Sequence, residues 1–74
     1  MLFKVMTTVK TSVVVKQLTP SGTLAPKTIM IPPREILEVY GYYTNNQETR
    51  FVAWNEQISA TFFTVAVSDC RPAF

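Results

Sequence analysis

Along residues 2–9, LFKVMTTV, the side chains alternate: Phe3, Val5, Thr7 and Val9 fall on one side, Leu2, Lys4, Met6 and Thr8 on the other. A period of two marks an extended chain, so this segment is predicted to be a strand with Phe3 and Val5 facing inward. The run SVVVKQL continues or restarts β structure after Thr11, and TPSGTLAP, residues 19–26, supplies the longest loop by composition. Lys4, Lys10 and Lys16 would share one side of an unbroken strand, and a turn near Thr11 would separate them.

Residues 28–43, TIMIPPREILEVYGYY, admit two readings. In a helix, Pro33 would sit in the first turn, Glu35 would favour the positive end of the dipole and Gly41 would cap. In an extended chain, strands 28–31 and 35–44 would flank a di-proline turn. Pro32 offers no side-chain N-cap, and Val39, Tyr40, Tyr42, Tyr43 and Thr44 prefer strands, which favours the second reading. It sends Leu37, Val39, Gly41 and Tyr43 one way, as core, and Ile36, Glu38, Tyr40 and Tyr42 the other.

Next, NNQE (45–48) is a turn signal and TRFVAW (49–54) returns antiparallel. Asn55 and Glu56 make a second tight turn into QISATFFTVAVS, where Phe63, Val65 and Val67 alternate with Phe62, Thr64 and Ala66. The closing DCRPAF reads as a turn-like tail. A proline-turned entry, EILEVYGY, a polar turn, RFVAWN, another turn, a strand ending VAVS and the closing SDC together resemble the back half of an SH3-like small barrel, over residues 31–71. The resemblance implies an all-β fold: a small antiparallel SH3-like barrel or sandwich of five to six strands. It does not imply that family's proline-peptide groove. The Ala-Leu-Tyr-Asp-Tyr segment, the acidic run before the diverging turn and the tandem Trp are missing, and Ala66 stands where the family has proline.

Seventy-four residues make a single domain, 1–74, and a chain this short buries only about 60% of its unfolded surface. Cys70 is the only cysteine and histidine is absent, so neither an internal disulfide nor a Cys/His zinc site supplements the core. Oligomerisation is the remaining device, and a hydrophobic content of 47% leans towards it. Lys4, Lys10 and Lys16 interrupt any signal-peptide core, and no run approaches the length of a membrane helix. The expectation is a soluble protein of a reducing cytoplasm, that of the host if the source is viral.

The net charge of +2 names no partner, but its distribution is uneven. Residues 1–34 carry Lys4, Lys10, Lys16, Lys27 and Arg34 with no acid, a sum of +5; residues 35–74 carry all five acids against Arg50 and Arg71, a sum of −3. Either the two halves occupy different faces, or their strands interleave and the charges mix.

Catalytic chemistry finds little to use. Without histidine, Cys70 lacks a base, although Arg71 beside it would lower its pKa somewhat. Glu35 and Glu38 fall on opposite faces of a strand, and Gly22 and Gly41 are too far apart for a phosphate loop. The chain is read as no enzyme, with no cofactor and no metal.

Two binding classes remain. In the first, Ile36, Tyr40 and Tyr42, with Trp54 across the hairpin and Arg50 beside them, form a contact surface for a protein partner or a second copy, because Tyr, Trp and Arg dominate contact energetics. An accessory subunit, an inhibitor or a virus-encoded binder would fit this class. In the second, Lys4, Lys10, Lys16, Lys27 and Arg34 line a surface for nucleic acid or a small anionic nucleotide, with aromatic rings for stacking.

Overall fold

Each alternating run becomes a strand in the computed structural model, which describes residues 1–73. The strands are β1 (Phe3–Thr7), β2 (Thr11–Leu18), β3 (Leu24–Ile31), β4 (Ile36–Thr44), β5 (Thr49–Trp54), β6 (Phe63–Ala66) and β7 (Cys70–Pro72), with a 3-10 turn at Val67–Asp69. They form a five-stranded sheet, ordered β6-β5-β4-β1-β7, and a two-stranded ribbon of β2 and β3. Every pairing is antiparallel. The all-β antiparallel class therefore stands. The sheet does not close into a barrel, and the described residues hold seven strands where five to six were predicted.

The ribbon lies across one face of the sheet. Val13, Val15 and Ile31 of the ribbon and Val5, Leu37 and Val65 of the sheet belong to one core, none more than 6% exposed. The faces follow the period of two: β1 turns Val5 and Thr7 into this core and Lys4 and Met6 away from it. We call the covered side of the sheet its inner face and the other its outer face.

Thr7 ties the di-proline turn to the sheet. Its buried hydroxyl donates to the Pro32 carbonyl at 2.8 Å and accepts from the Glu35 N–H at 3.0 Å, so it stands between the two groups that a closed β-turn would join. Its backbone adds two bonds, Arg34 N–H to Thr7 C=O at 2.7 Å and Thr7 N–H to Glu35 C=O at 3.0 Å. Pro33 and Arg34 are the central residues of this turn, and Arg34 has φ +71°, the left-handed value of a type II turn. The turn, and no helix, is what PPRE encodes.

Four local expectations are corrected. Residues 24–26 belong to β3, not to a loop. The Thr19 N–H bonds the Thr23 C=O at 2.8 Å, which fixes the alternation of the β2–β3 ladder and places Pro26 in a pair whose backbone groups face away from β2. Proline costs that pairing no hydrogen bond. After Trp54 the chain makes a longer excursion, residues 55–62, begun by Asn55, whose C=O accepts from the N–H groups of Ile58 and Ser59. The tail is no mere turn: β7 pairs with β1, the Ala73 N–H bonding the Lys4 C=O at 3.1 Å. The last residue of DCRPAF lies outside the described residues.

The fourth correction concerns β4. Its register with β5 slips between Val39 and Gly41, so that Val39 opposes Ala53 while Gly41 opposes Val52. Tyr40 is the extra residue of this bulge, and beyond it the alternation reverses. Tyr42 now opposes Phe51 on the inner face, and Tyr43 opposes Arg50 on the outer face. The predicted grouping of Ile36, Glu38, Tyr40 and Tyr42 on one side holds only as far as Tyr40.

Candidate functional site

Among the described residues no layer covers the outer face of the sheet. Ile36, Tyr40, Tyr43 and Phe62 are 39–54% exposed on or beside it. Tyr40 and Phe62 meet edge to face with ring centroids 5.1 Å apart, and half-buried Val52 lies between β4 and β6, opposite Gly41 and Thr64. The bulge makes room for this: a Cβ on Gly41 would only just touch the Val52 side chain, at 4.0 Å, so the aromatic rings stand beside a shallow centre.

At one end of the face, Trp54 opposes Glu38, and Glu38 opposes Lys4 on its other side. These three, with Arg34, Glu35 and Glu56, line an open cleft of about 440 Å³. Glu35 and Glu38 thus share a cleft, although they were expected on opposite faces. At the other end, Arg50 is fixed within the sheet: its Nε and Nη2 donate to the hydroxyl and carbonyl of Thr64 at 3.0 and 2.9 Å, and its Nη1 pairs with Glu48. Arg50 is thus largely occupied with holding β5 to β6.

Of the five predicted contact residues, the structure brings Ile36, Tyr40, Trp54 and Arg50 to the outer face and its ends, and places Tyr42 on the inner face. There Tyr42 is 70% exposed, because the ribbon covers the opposite corner of the sheet. Phe3 and Phe51 meet edge to face in this uncovered corner, 5.4 Å apart, above an apolar hollow of about 230 Å³ that also touches Val67 and Cys70. Phe62, Tyr43 and Val52 are the outer-face residues that sequence reasoning missed. For Phe62 the signal was present in the alternation of Phe63, Val65 and Val67 with Phe62, Thr64 and Ala66, which puts the two phenylalanines on opposite sides.

The five cations of the second class do not share one surface. Lys4 and Arg34 sit in the cleft with the three carboxylates. Lys16 opposes Pro26 on the outer side of the ribbon, Lys27 opposes Val15 on its core side, and Lys10 is exposed in the turn before β2. The turn near Thr11 separates Lys4, Lys10 and Lys16. The charges of the two halves mix at β1 and β4, but the ribbon itself, Thr11–Leu18 and Leu24–Ile31, carries two lysines and no acid.

Cys70 behaves opposite to the expectation drawn from Arg71. Burial, aided by the neighbouring Asp69 charge, pushes its thiol from 9.0 up to about 11. Arg71 follows it in β7 and projects from the other face, beside Met6. The thiolate fraction near neutrality is then about a hundredfold lower than in an unfolded chain, partly offset by a more nucleophilic thiolate. Alkylation by iodoacetamide at pH 8 is expected to run about tenfold slower in the folded protein than in urea; equal rates would mean an open, unperturbed thiol. Because the folded pKa is the higher one, this group's stabilising contribution is present below pH 9 and fades as pH rises towards about 11. Cys70→Ala should flatten that alkaline decline in urea midpoints.

Together these features define a small two-layer antiparallel β protein with one open, aromatic sheet face. No protein-family model, no curated protein and no solved structure matches the chain. Among the described residues there is no cluster of metal-ligating side chains, and no helix is long and apolar enough to cross a membrane.

Proposed function

We infer that this chain is a non-catalytic binding module that acts through protein–protein contact on the outer face of its five-stranded sheet. The observation that carries this reading is the exposed pair of Tyr40 and Phe62, edge to face beside Val52, with Tyr43 and Ile36 exposed on the same face. Exposed apolar side chains scattered singly need no explanation, but two aromatic rings in contact on an uncovered sheet face, with charges at its ends, have the make-up of a contact surface. An accessory subunit or an inhibitor works in this way, by occupying a surface and performing no reaction.

The alternative, an anionic ligand or nucleic acid held by Lys4, Lys10, Lys16, Lys27 and Arg34, has less support. Lys4 and Arg34 share their cleft with Glu35, Glu38 and Glu56, which repel phosphate. An unstructured oligonucleotide is expected to show no retardation at low salt; salt-sensitive retardation would favour this alternative.

The protein-contact reading is tested by a photo-reactive amino acid in place of Val52, at the middle of the face. Illumination in cells making the protein is expected to give a covalent protein–protein product. The same group in place of Thr23, at the tip of the ribbon, is expected to give none. Absence of any product from the Val52 position would overturn the reading.

A further inference from the structure

We propose that the occupant of the outer face is a second copy of this chain, docked about a two-fold axis so that Lys4 of each copy meets Glu38 of the other. The proposal rests on the contact reading above and adds the partner to it.

The sheet edges are poor places to associate. Pro72 on β7 opposes Val5 in a pair flanked by the bonds from Ala73 to Lys4 and from Thr8 to Asp69, so its nitrogen, which carries no hydrogen, faces away from β1. Pro26 presents the same blank on the outer edge of β3. At the remaining side β2 runs beside β6, and these edges lie close to each other. Proline at an edge blocks strand addition, so association is directed to a face.

Of the two outward faces, charge selects the sheet. The outer side of the ribbon carries Lys16 and, within its own two strands, no acid, so a second copy placed there would find no opposite charge on those strands to pair with it. The outer face of the sheet carries both signs: Lys4 and Glu38 oppose each other across β1 and β4, and neither takes part in an ion pair among the described residues. Under a two-fold axis such a pair complements itself, because a contact from residue i to residue j is repeated from j to i. The axis then runs between β1 and β4, so that Tyr40 of each copy comes down over the start of β1 of the other, beside exposed Leu2.

The area suffices. Five strands at about 4.8 Å spacing, with β4 running nine residues at about 3.3 Å each, span at most roughly 24 by 30 Å, about 700 Å². A standard interface takes about 800 Å² from each partner. The single chain also exposes more than a compact monomer does: 5101 Å² for 8.4 kDa, where about 4,600 Å² is usual.

The test is sedimentation equilibrium of the full chain and of two variants, Lys4→Glu and Glu38→Lys, each checked for folding by circular dichroism. The natural chain is expected to dimerise at micromolar concentration. Each variant alone sets like charges against each other twice per dimer and should dimerise at least about tenfold more weakly. An equimolar mixture restores opposite charges at both contacts and should recover dimers that neither variant forms alone. A monomeric natural chain at 100 times the micromolar range, about 100 μM, would overturn the proposal without recourse to any variant. So would a dimer indifferent to both reversals, or a mixture that stays monomeric. A product at Val52 that joins this chain to a different protein would leave the contact reading standing and remove the second copy as its occupant. Absence of any Val52 product would remove both.

Discussion

Replacing Thr7 with valine is expected to destabilise the protein by about 2–3 kcal/mol, measured as a shift of the urea midpoint at unchanged slope. Valine keeps the shape and burial of Thr7 but removes the hydroxyl that bridges the Pro32 carbonyl and the Glu35 N–H. Those two groups cannot simply bond each other, because the turn is built open around the hydroxyl. A buried polar group left without a partner costs about 1–3 kcal/mol, and two are put at risk here. For a chain of this length the whole stability is about 4–11 kcal/mol, so the loss is a large fraction of it. Thr7→Ser retains the hydroxyl and should lose only about 1 kcal/mol, for the buried methyl group. If serine were as harmful as valine, the hydroxyl bridge would not be the cause.

Leu37→Ala should do more damage, about 2–5 kcal/mol. Leu37 is fully buried on β4, opposite Val5 in the sheet, and packs in the core beneath the ribbon. Its removal subtracts the transfer free energy of the lost carbons and leaves a cavity that two rigid layers fill poorly. The adjacent Ile36 points to the other face and is 42% exposed, so Ile36→Ala should cost within about 1 kcal/mol. Urea titration of the two variants reads the face assignment directly. Equal losses would show that β4 has no distinct inner and outer sides.

The strands around Val5 and from Thr49 to Trp54 were legible because each buries one face only, and burial on one face imposes a strict period of two. The same period assigned Leu37 and Val39 to the core. It failed at Tyr40, since a bulge adds a residue without leaving any mark in composition. Tyr42 was accordingly grouped with Tyr40, and Tyr43 was assigned to the core. Pro26 and Pro72 were read as loop and tail because proline disfavours strands; each is accommodated where its nitrogen faces outward, a property of ladder phase and not of sequence. Arg34 in a left-handed conformation was equally hidden, because glycine or asparagine is what that position ordinarily asks for. As to the site, Ile36 and Trp54 were found from strand parity and aromatic character, whereas Phe62 reaches Tyr40 only because the chain after Trp54 takes the long way round.

The bulge at Tyr40 gives this surface an unusual mode of variation. In most sheets a contact face is altered one side chain at a time. Here smoothing the bulge, with the 45–48 turn taking up the extra residue, would set Tyr40 opposite Val52 and Tyr42 opposite Arg50 and so exchange the sides of everything beyond it in β4. A one-residue slip, which usually ruins a strand, is at this one point a means of re-dealing which tyrosine the protein shows to the outside.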